Sequence, residues 1–272
     1  MCHAAFAMTG LLLATAYAQA VPDHIASVDV DGTDFRVRLV SGKVLSGPDL
    51  VGATLSLTQP GDAAPRKVLI KSVKIDPMDS DHEILLFHLL AVDQTTGHRE
   101  ELCRPDAQGE RWAFPLRGQW DSEGEHISDS GFTLTCADGA QGKCVRFGYK
   151  PWKTLANGAR LADYHQACVR LVRADYCGGH GTTRDGMLID IYDTIGIQDP
   201  DPKADAAGVR FEAAWSPAGA VCVAHTRVPE HITLERLGKE CPRLADHLGE
   251  KSCTPEQAKL LSPKVLLYNK SR

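Results

Sequence analysis

Residues 158–179 read GARLADYHQACVRLVRADYCGG and show the clearest helical periodicity in the chain. Apolar and aromatic side chains recur on one face of a helical wheel, while most of the charged side chains lie on the other face. Asn157 is a suitable N-terminal cap, and the pair Gly178-Gly179 is a stop signal. The stretch therefore predicts one main helix over about residues 158–176. The residues on its apolar face are Leu161, Tyr164, His165, Cys168, Leu171, Val172 and Tyr176.

Short runs of β-branched and aromatic residues, separated by turn signals, lie on both sides of this helix. Those before it are residues 35–40, 53–58, 67–75, 83–92, 111–116, 132–136 and 143–149. Those after it are residues 186–197, 209–215 and 220–228, and Pro217-Ala218-Gly219 predicts a hairpin between the last two. Such spacing is typical of an antiparallel sandwich or a barrel-like sheet. The predicted class is α+β: mostly antiparallel β, with one main helix and stapled by disulfides.

The composition is that of an ordinary globular protein, with 43% hydrophobic and 24% charged residues in 272. We divide the chain beyond its first twenty residues into three parts. They are an N-terminal β-rich region (21–115), a domain around the helix (116–232) and a C-terminal tail (233–272) with a short helix and a disulfide loop.

The first twenty residues, MCHAAFAMTGLLLATAYAQA, predict a signal peptide. An apolar run is followed by Ala18-Gln19-Ala20, the small-x-small pattern of a signal-peptidase site, so Val21 is the expected mature N-terminus. No later stretch has 18 consecutive apolar residues, and no transmembrane span is expected in the mature chain. The predicted location is secreted or periplasmic.

Eight cysteines remain once Cys2 is removed with the signal peptide. They are Cys103, Cys136, Cys144, Cys168, Cys177, Cys222, Cys241 and Cys253. An even number in an exported chain indicates a disulfide framework, although eight cysteines allow 105 pairings. Reduced thiols in a cytosolic enzyme are the competing interpretation.

Two pairings are predicted from local spacing. Residues 137–143, ADGAQGK, form a short glycine-rich turn between two predicted strands, which favours a Cys136–Cys144 bridge. A second bridge, Cys241–Cys253, is expected in the tail.

Cys168 and Cys177 are expected not to bond to each other. Nine helical residues separate them by about 13.5 Å, well beyond the roughly 7 Å that a disulfide spans between Cα atoms. Each then needs a distant partner, for which Cys222 and Cys103 are the candidates.

Four segments, in this order along the chain, resemble the bacterial ADYC-domain family. They are GKCVRFGYKPW (142–152), HQACVR (165–170), LVRADYCGGHGTTRDGMLIDIYDTIGIQ (171–198) and FEAAWSPAGAVCV (211–223). The signature residues are Ala174, Asp175, Tyr176 and Cys177. The resemblance covers roughly residues 116–232 and implies an exported or envelope protein. It implies no known activity, substrate or cofactor, so it identifies no catalytic residue.

The carboxylate of Asp175 falls within the apolar face of the predicted helix. A buried carboxylate costs several kcal/mol unless it is paired or hydrogen-bonded. The favoured interpretation is a carboxylate that accepts backbone N–H bonds or an arginine and locks the following glycine-rich turn. The alternative is a general acid or base with a raised pKa.

Cysteine and histidine side chains near the end of the helix suggest two further chemistries. Cys177 with His180, oriented by Asp185, resembles a thiol-catalysis arrangement, but an even cysteine count favours pairing. His165 and Cys168 complete a zinc-type spacing with Cys177 and His180. A helix through Tyr176 would hold the two pairs too far apart to share one ion.

Aspartates cluster at residues 29–34 and 199–201, but neither cluster has the EF-hand spacing that calcium loops use. The first lies where a hairpin turn is expected. We therefore predict no metal and no cofactor.

The predicted function is a non-catalytic exported binding or structural module that recognises an unknown protein or small-molecule partner. A formal charge of −5 disfavours nucleic acid, since no basic excess neutralises phosphates. The alternative is an exported hydrolase that uses Asp175, His180 or Asp185. A hydrolase predicts that these three groups converge in a pocket, whereas a module predicts that they are hydrogen-bonded locally.

Overall fold

Three antiparallel sheets make up most of the structure, a computed structural model that describes residues 23–58, 65–206 and 208–272. The predicted signal peptide (1–20) and the predicted mature N-terminus lie outside the described residues. The sheets and helices confirm the predicted α+β class with mostly antiparallel pairing.

The first sheet is a small three-stranded meander. Its strands are β1 (Ile25–Asp31), β2 (Asp34–Leu39) and β3 (Val44–Leu45). Asp31 pairs with Asp34, so Gly32 and Thr33 form a two-residue turn, and Gly32 has a φ of 61°, which favours glycine. The aspartate cluster at residues 29–34 is therefore a hairpin turn, as expected.

The second sheet has six strands in the order β4-β5-β6-β8-β9, with β7 beside β6. They are β4 (Thr54–Leu57), β5 (Arg66–Ile75), β6 (Leu85–Val92), β7 (Arg99–Glu101), β8 (Trp112–Trp120) and β9 (His126–Cys136). It shares a core with the first sheet, where the Phe35 ring meets the edges of Phe87 and Phe132. The boundary predicted between residues 115 and 116 falls inside β8, because this sheet continues to Cys136.

The third sheet has the order β10-β13-β11-β12. Its strands are β10 (Ile189–Asp193), β11 (Arg210–Ser216), β12 (Gly219–Val223) and β13 (Leu267–Ser271). Pro217 and Ala218 turn β11 into β12, as predicted. The C-terminal tail also contains a strand that was not predicted: β13 pairs with both β10 and β11 inside the sheet.

Five α-helices accompany the sheets among the described residues. They are α1 (Ala140–Arg146), α2 (Leu161–Arg173), α3 (Pro202–Ala206), α4 (Leu234–Glu240) and α5 (Pro255–Leu261). The main helix, α2, packs on the third sheet and on α1. It is shorter than the predicted 158–176, because Ala174 takes the left-handed conformation (φ 49°, ψ 43°) and ends it.

The segment 143–149 is not the strand that its sequence predicts, because α1 occupies most of it. Gly142 lies against the end of β9, where a Cβ atom would sit 2.2 Å from the carbonyl oxygen of Cys136. Cys144 faces α2 and bonds to it there. The packing of Gly142 against Cys136 and the Cys144–Cys168 disulfide therefore override the strand propensity of this segment.

The eight cysteines form four disulfides. The pairs are Cys103–Cys136, Cys144–Cys168, Cys177–Cys241 and Cys222–Cys253. The prediction that Cys168 and Cys177 do not bond to each other is confirmed.

The two pairings predicted from local spacing are wrong. Cys136 ends β9 and bonds to the loop after β7, and Cys144 turns towards α2, so the short turn between them is not closed by a bridge. Cys241 ends α4 and bonds to Cys177, which leaves Cys253 to pair with Cys222 in β12. Neither Cys103 nor Cys222 is therefore the partner of Cys168 or Cys177.

Four disulfides indicate an oxidising compartment. As a separate finding, none of the helices in the described part of the chain has both the length and the apolar character to cross a bilayer.

We expect peptide mapping of the unreduced protein to recover the four pairs above. Each pair has Cα atoms 5.4–5.7 Å apart, inside the range that disulfides require. Mass spectrometry before and after reduction identifies the linked peptides, and the reduced sample is the control. A peptide that joins Cys136 to Cys144 would contradict this arrangement.

Candidate functional site

The residues 174–177, Ala-Asp-Tyr-Cys, follow α2 directly and form the turn that leads into the third sheet. Ala174 is fully buried at the helix end. Its left-handed conformation reverses the chain, so that Asp175 points back towards α2 and Tyr176 enters the core. Cys177 then anchors the turn to the end of α4 through its disulfide.

Asp175 is fully buried and its carboxylate is surrounded by donors. It accepts backbone N–H bonds from Gly178 (2.9 Å), Gly179 (2.9 Å) and His180 (3.0 Å), and the guanidinium of Arg170 lies 2.5 Å away. Burial opposes ionisation, but these donors outweigh it, so the pKa of Asp175 lies below its ordinary value. The contacts match the favoured interpretation of a carboxylate that locks the glycine-rich turn.

Arg170 joins this turn to two other parts of the protein. Its side chain is only 1% exposed, and besides Asp175 it forms an ion pair with Glu125. Its Nε atom also donates to the carbonyl oxygen of Pro217, 3.3 Å away. One guanidinium therefore connects α2, the loop before β9 and the turn between β11 and β12.

Tyr176 belongs to a second buried polar network beneath α2. Its hydroxyl donates to Glu212 (2.8 Å) and accepts the backbone N–H of Arg227 (2.8 Å), whose guanidinium also pairs with Glu212 (3.0 Å). Asn269 donates to Glu212 and accepts from the indole of Trp215, on which the Tyr176 ring stacks. Burial and the Glu212 carboxylate raise the pKa of Tyr176 well above its ordinary value.

The candidate catalytic residues do not form a catalytic arrangement. Cys177 is oxidised in a disulfide, and the side chains of His180 and Asp185 are exposed. Within the described residues, the His180 imidazole has no hydrogen bond or ion pair with Asp175 or Asp185. Of the predicted groups, the fold brings only Asp175 into a bonded network.

The four residues of the zinc-type spacing do not form a metal site in the structure. Cys168 and Cys177 belong to different disulfides, and His165 donates towards a backbone carbonyl. In the part of the chain that the structure describes, no group of three or more histidine, cysteine or carboxylate side chains is arranged to hold a metal ion.

A cavity of about 770 Å³ lies between the β1–β2 hairpin, the ends of β8 and β9, and the first half of α2. We call it the cleft. Its lining includes two tryptophans, two histidines, four arginines and five carboxylates. Its volume lies in the range of about 300–1,000 Å³ that is usual for small-molecule sites.

One wall of the cleft is a group of packed aromatic rings. The ring of Trp120 contacts two histidines, with centroids 4.7 Å from His126 and 5.9 Å from His165. His165 is buried and contacts the carbonyl oxygen of Gln141 through Nε2 at 3.1 Å. Burial lowers the pKa of His165 to about 4, so the imidazole is neutral and donates this bond.

The opposite wall presents a partly open indole. Trp152 is 37% exposed and packs against Gly32, where a Cβ atom would lie 3.4 Å from the ring. Two lining residues carry buried polar atoms without a hydrogen-bond partner among the described residues: Trp120 Nε1 and Gln166 Oε1. Unpaired buried atoms each cost about 1–3 kcal/mol, so these two atoms lower the stability of this part of the lining.

No sequence motif marks the cleft, because its lining residues are spread along the chain from Asp29 to Pro217. A second cavity, of about 560 Å³, lies beside Arg184, Arg227 and Arg272. None of the three catalytic candidates lines either cavity.

Comparison with known proteins gives one match. The family model described as ADYC domain matches residues 47–229, and so begins well before residue 116, where the resemblance was expected to start. No curated protein and no solved structure matches the chain. The matched range includes β8, β9 and α2, which form two walls of the cleft, and excludes the β1–β2 hairpin.

We expect Tyr176→Phe to lower the free energy of unfolding by about 1–3 kcal/mol, because it removes one donor to Glu212 and leaves the N–H of Arg227 without a buried partner. Tyr268→Phe is the matched control. Tyr268 is also buried, but its hydroxyl has no hydrogen-bond partner among the described residues, so its loss should change stability by less than about 0.5 kcal/mol. Urea denaturation measures both. Equal effects would argue against a stabilising network.

His165 predicts a specific pH dependence. Its pKa in the folded protein, about 4, lies below the value of an unfolded histidine, so only the unfolded state gains a proton as the pH falls through that window. We expect this group to remove about 3 kcal/mol of stability between roughly pH 6.5 and 4. His165→Gln keeps a donor but cannot titrate, so its unfolding free energy should fall less. If the unfolding free energies of the parent and of His165→Gln fell equally with pH, His165 would not be a buried neutral imidazole.

Proposed function

We propose that this chain, which belongs to the ADYC domain family, is an exported, non-catalytic binding module whose ligand occupies the cleft. The observation that carries the proposal is the cleft itself. It combines an open indole, Trp152, with charged side chains that have no partner in the described part of the chain. The candidate catalytic groups, in contrast, are either bonded locally or apart.

The cleft has the features of a binding site on a rigid support. The Cys144–Cys168 disulfide and the Arg170 contacts fix α2, and the Trp120 ring packs against His126 and His165. Because the walls of the cleft are already fixed, little conformational entropy of the protein is lost when a ligand binds. Trp152, Arg38 and Arg160 are exposed at the surface of the cleft, which leaves them available to a ligand.

The hydrolase alternative has less support. A general acid or base works best with a pKa near the operating pH, but the pKa of Asp175 is lowered and the carboxylate already accepts four donors. His180 and Asp185 would have to move together before either could orient the other. Export to the periplasm or the exterior of a bacterium agrees with the disulfides and with the predicted signal peptide.

We expect ligands from small-molecule and peptide libraries to raise the midpoint of thermal unfolding. At 100 times Kd, binding adds about 2.7 kcal/mol, or roughly 5–10 °C for a protein of this size. The shift should disappear in Trp152→Ala and persist in Leu260→Ala, which removes an exposed apolar side chain from α5, outside the cleft.

Chromatography of the same mixtures separates the two functions. A binding module returns each ligand unchanged. Cleavage of a ligand that is lost in His180→Ala and in Asp185→Asn would overturn the proposal in favour of the hydrolase.

A further inference from the structure

We infer that the ligand of the cleft is a neutral oligosaccharide, with one sugar ring on Trp152 and its hydroxyls bonded to the charged side chains around it. This inference rests on the proposed function and specifies its ligand class. It follows from three properties of the lining: its charge balance, its aromatic surface and its unpaired polar groups.

The charges of the lining nearly cancel. Four arginines face five carboxylates, and His165 is neutral. A strongly charged ligand of either sign would meet repulsion from about half of these groups, so the lining selects neither a polyanion nor a polycation. A lipid chain would desolvate the charged groups of the lining, among which Arg38, Arg160 and Asp163 have no partner in the described part of the chain. A neutral ligand with many hydroxyl groups avoids both costs.

The unpaired side chains suit hydroxyl recognition. Arg38 and Arg160 have no hydrogen bond or ion pair from their side chains within the described part of the protein, and neither does the carboxylate of Asp163. Guanidinium groups only donate and carboxylates only accept, whereas a sugar hydroxyl does both. Neighbouring hydroxyls of a pyranose can therefore bond to an arginine and to an aspartate at the same time.

The exposed indole supplies the remaining contact. One face of a pyranose ring presents C–H groups, which pack on the flat, electron-rich face of an aromatic ring. Trp152 is held against Gly32, which limits its motion, yet more than a third of it stays open.

The test is calorimetric titration of the purified protein with hexasaccharides of glucose, mannose, xylose and N-acetylglucosamine. Charged probes are a sulfated heparin hexasaccharide, an oligoglutamate and an oligolysine. We expect at least one neutral hexasaccharide to bind, and no charged probe to bind as tightly. Trp152→Ala should weaken that binding about tenfold or more, as removal of an aromatic anchor does.

Two further variants make the result specific to the cleft. Arg160→Gln should weaken binding several-fold and keeps the experiment decisive if Trp152→Ala does not fold. Leu260→Ala should bind as the parent does. The inference is overturned if no neutral hexasaccharide binds, or if binding survives both cleft variants.

The failures of the two proposals are distinguishable. If a charged probe binds and Trp152→Ala abolishes that binding, the ligand class is wrong but the binding module stands. If a hexasaccharide is cleaved and His180→Ala stops the cleavage, the proposed function itself fails.

Discussion

The buried ion pair between Arg170 and Asp175 is the contact on which the second half of the protein depends. Asp175 can be buried only because Arg170 and three backbone amides surround it. The same guanidinium reaches Glu125 and Pro217, which both line the cleft. The contacts of Arg170 therefore hold three features together: the turn after α2, α2 itself and one wall of the cleft.

Each residue of the Ala-Asp-Tyr-Cys segment has its own physical role in this arrangement. Ala174 reverses the chain at a fully buried position, and Asp175 holds the turn that follows. Tyr176 connects the turn to the polar network around Glu212, and Cys177 bonds it to α4. All four residues thus hold the turn after α2 in place, and none of them lines the cleft.

The sequence predicted those features that depend on local pattern. Short β-branched and aromatic runs between turn signals located most strands, and helical periodicity located α2. Sequence patterns failed where contacts with other parts of the chain decide the structure. The segment around Cys144 is helical and bonds to Cys168, and the left-handed Ala174 is followed by a turn that the Asp175 carboxylate holds. The disulfide partners were wrong for the same reason, since proximity along the chain did not decide them. The cleft has no local signal, because the fold alone brings Trp152 close to Gly32.

The most direct test of the central contact is the free energy of unfolding of Asp175→Asn, measured by urea denaturation at neutral pH. Asparagine keeps the shape of the side chain but turns an amide towards Arg170 or the turn, and leaves the buried arginine with Glu125 as its one ion-pair partner among the described residues. The expected loss is about 3–5 kcal/mol, against less than about 0.5 kcal/mol for the exposed control Asp185→Asn. A loss below about 1 kcal/mol for Asp175→Asn would contradict the organising role of this ion pair.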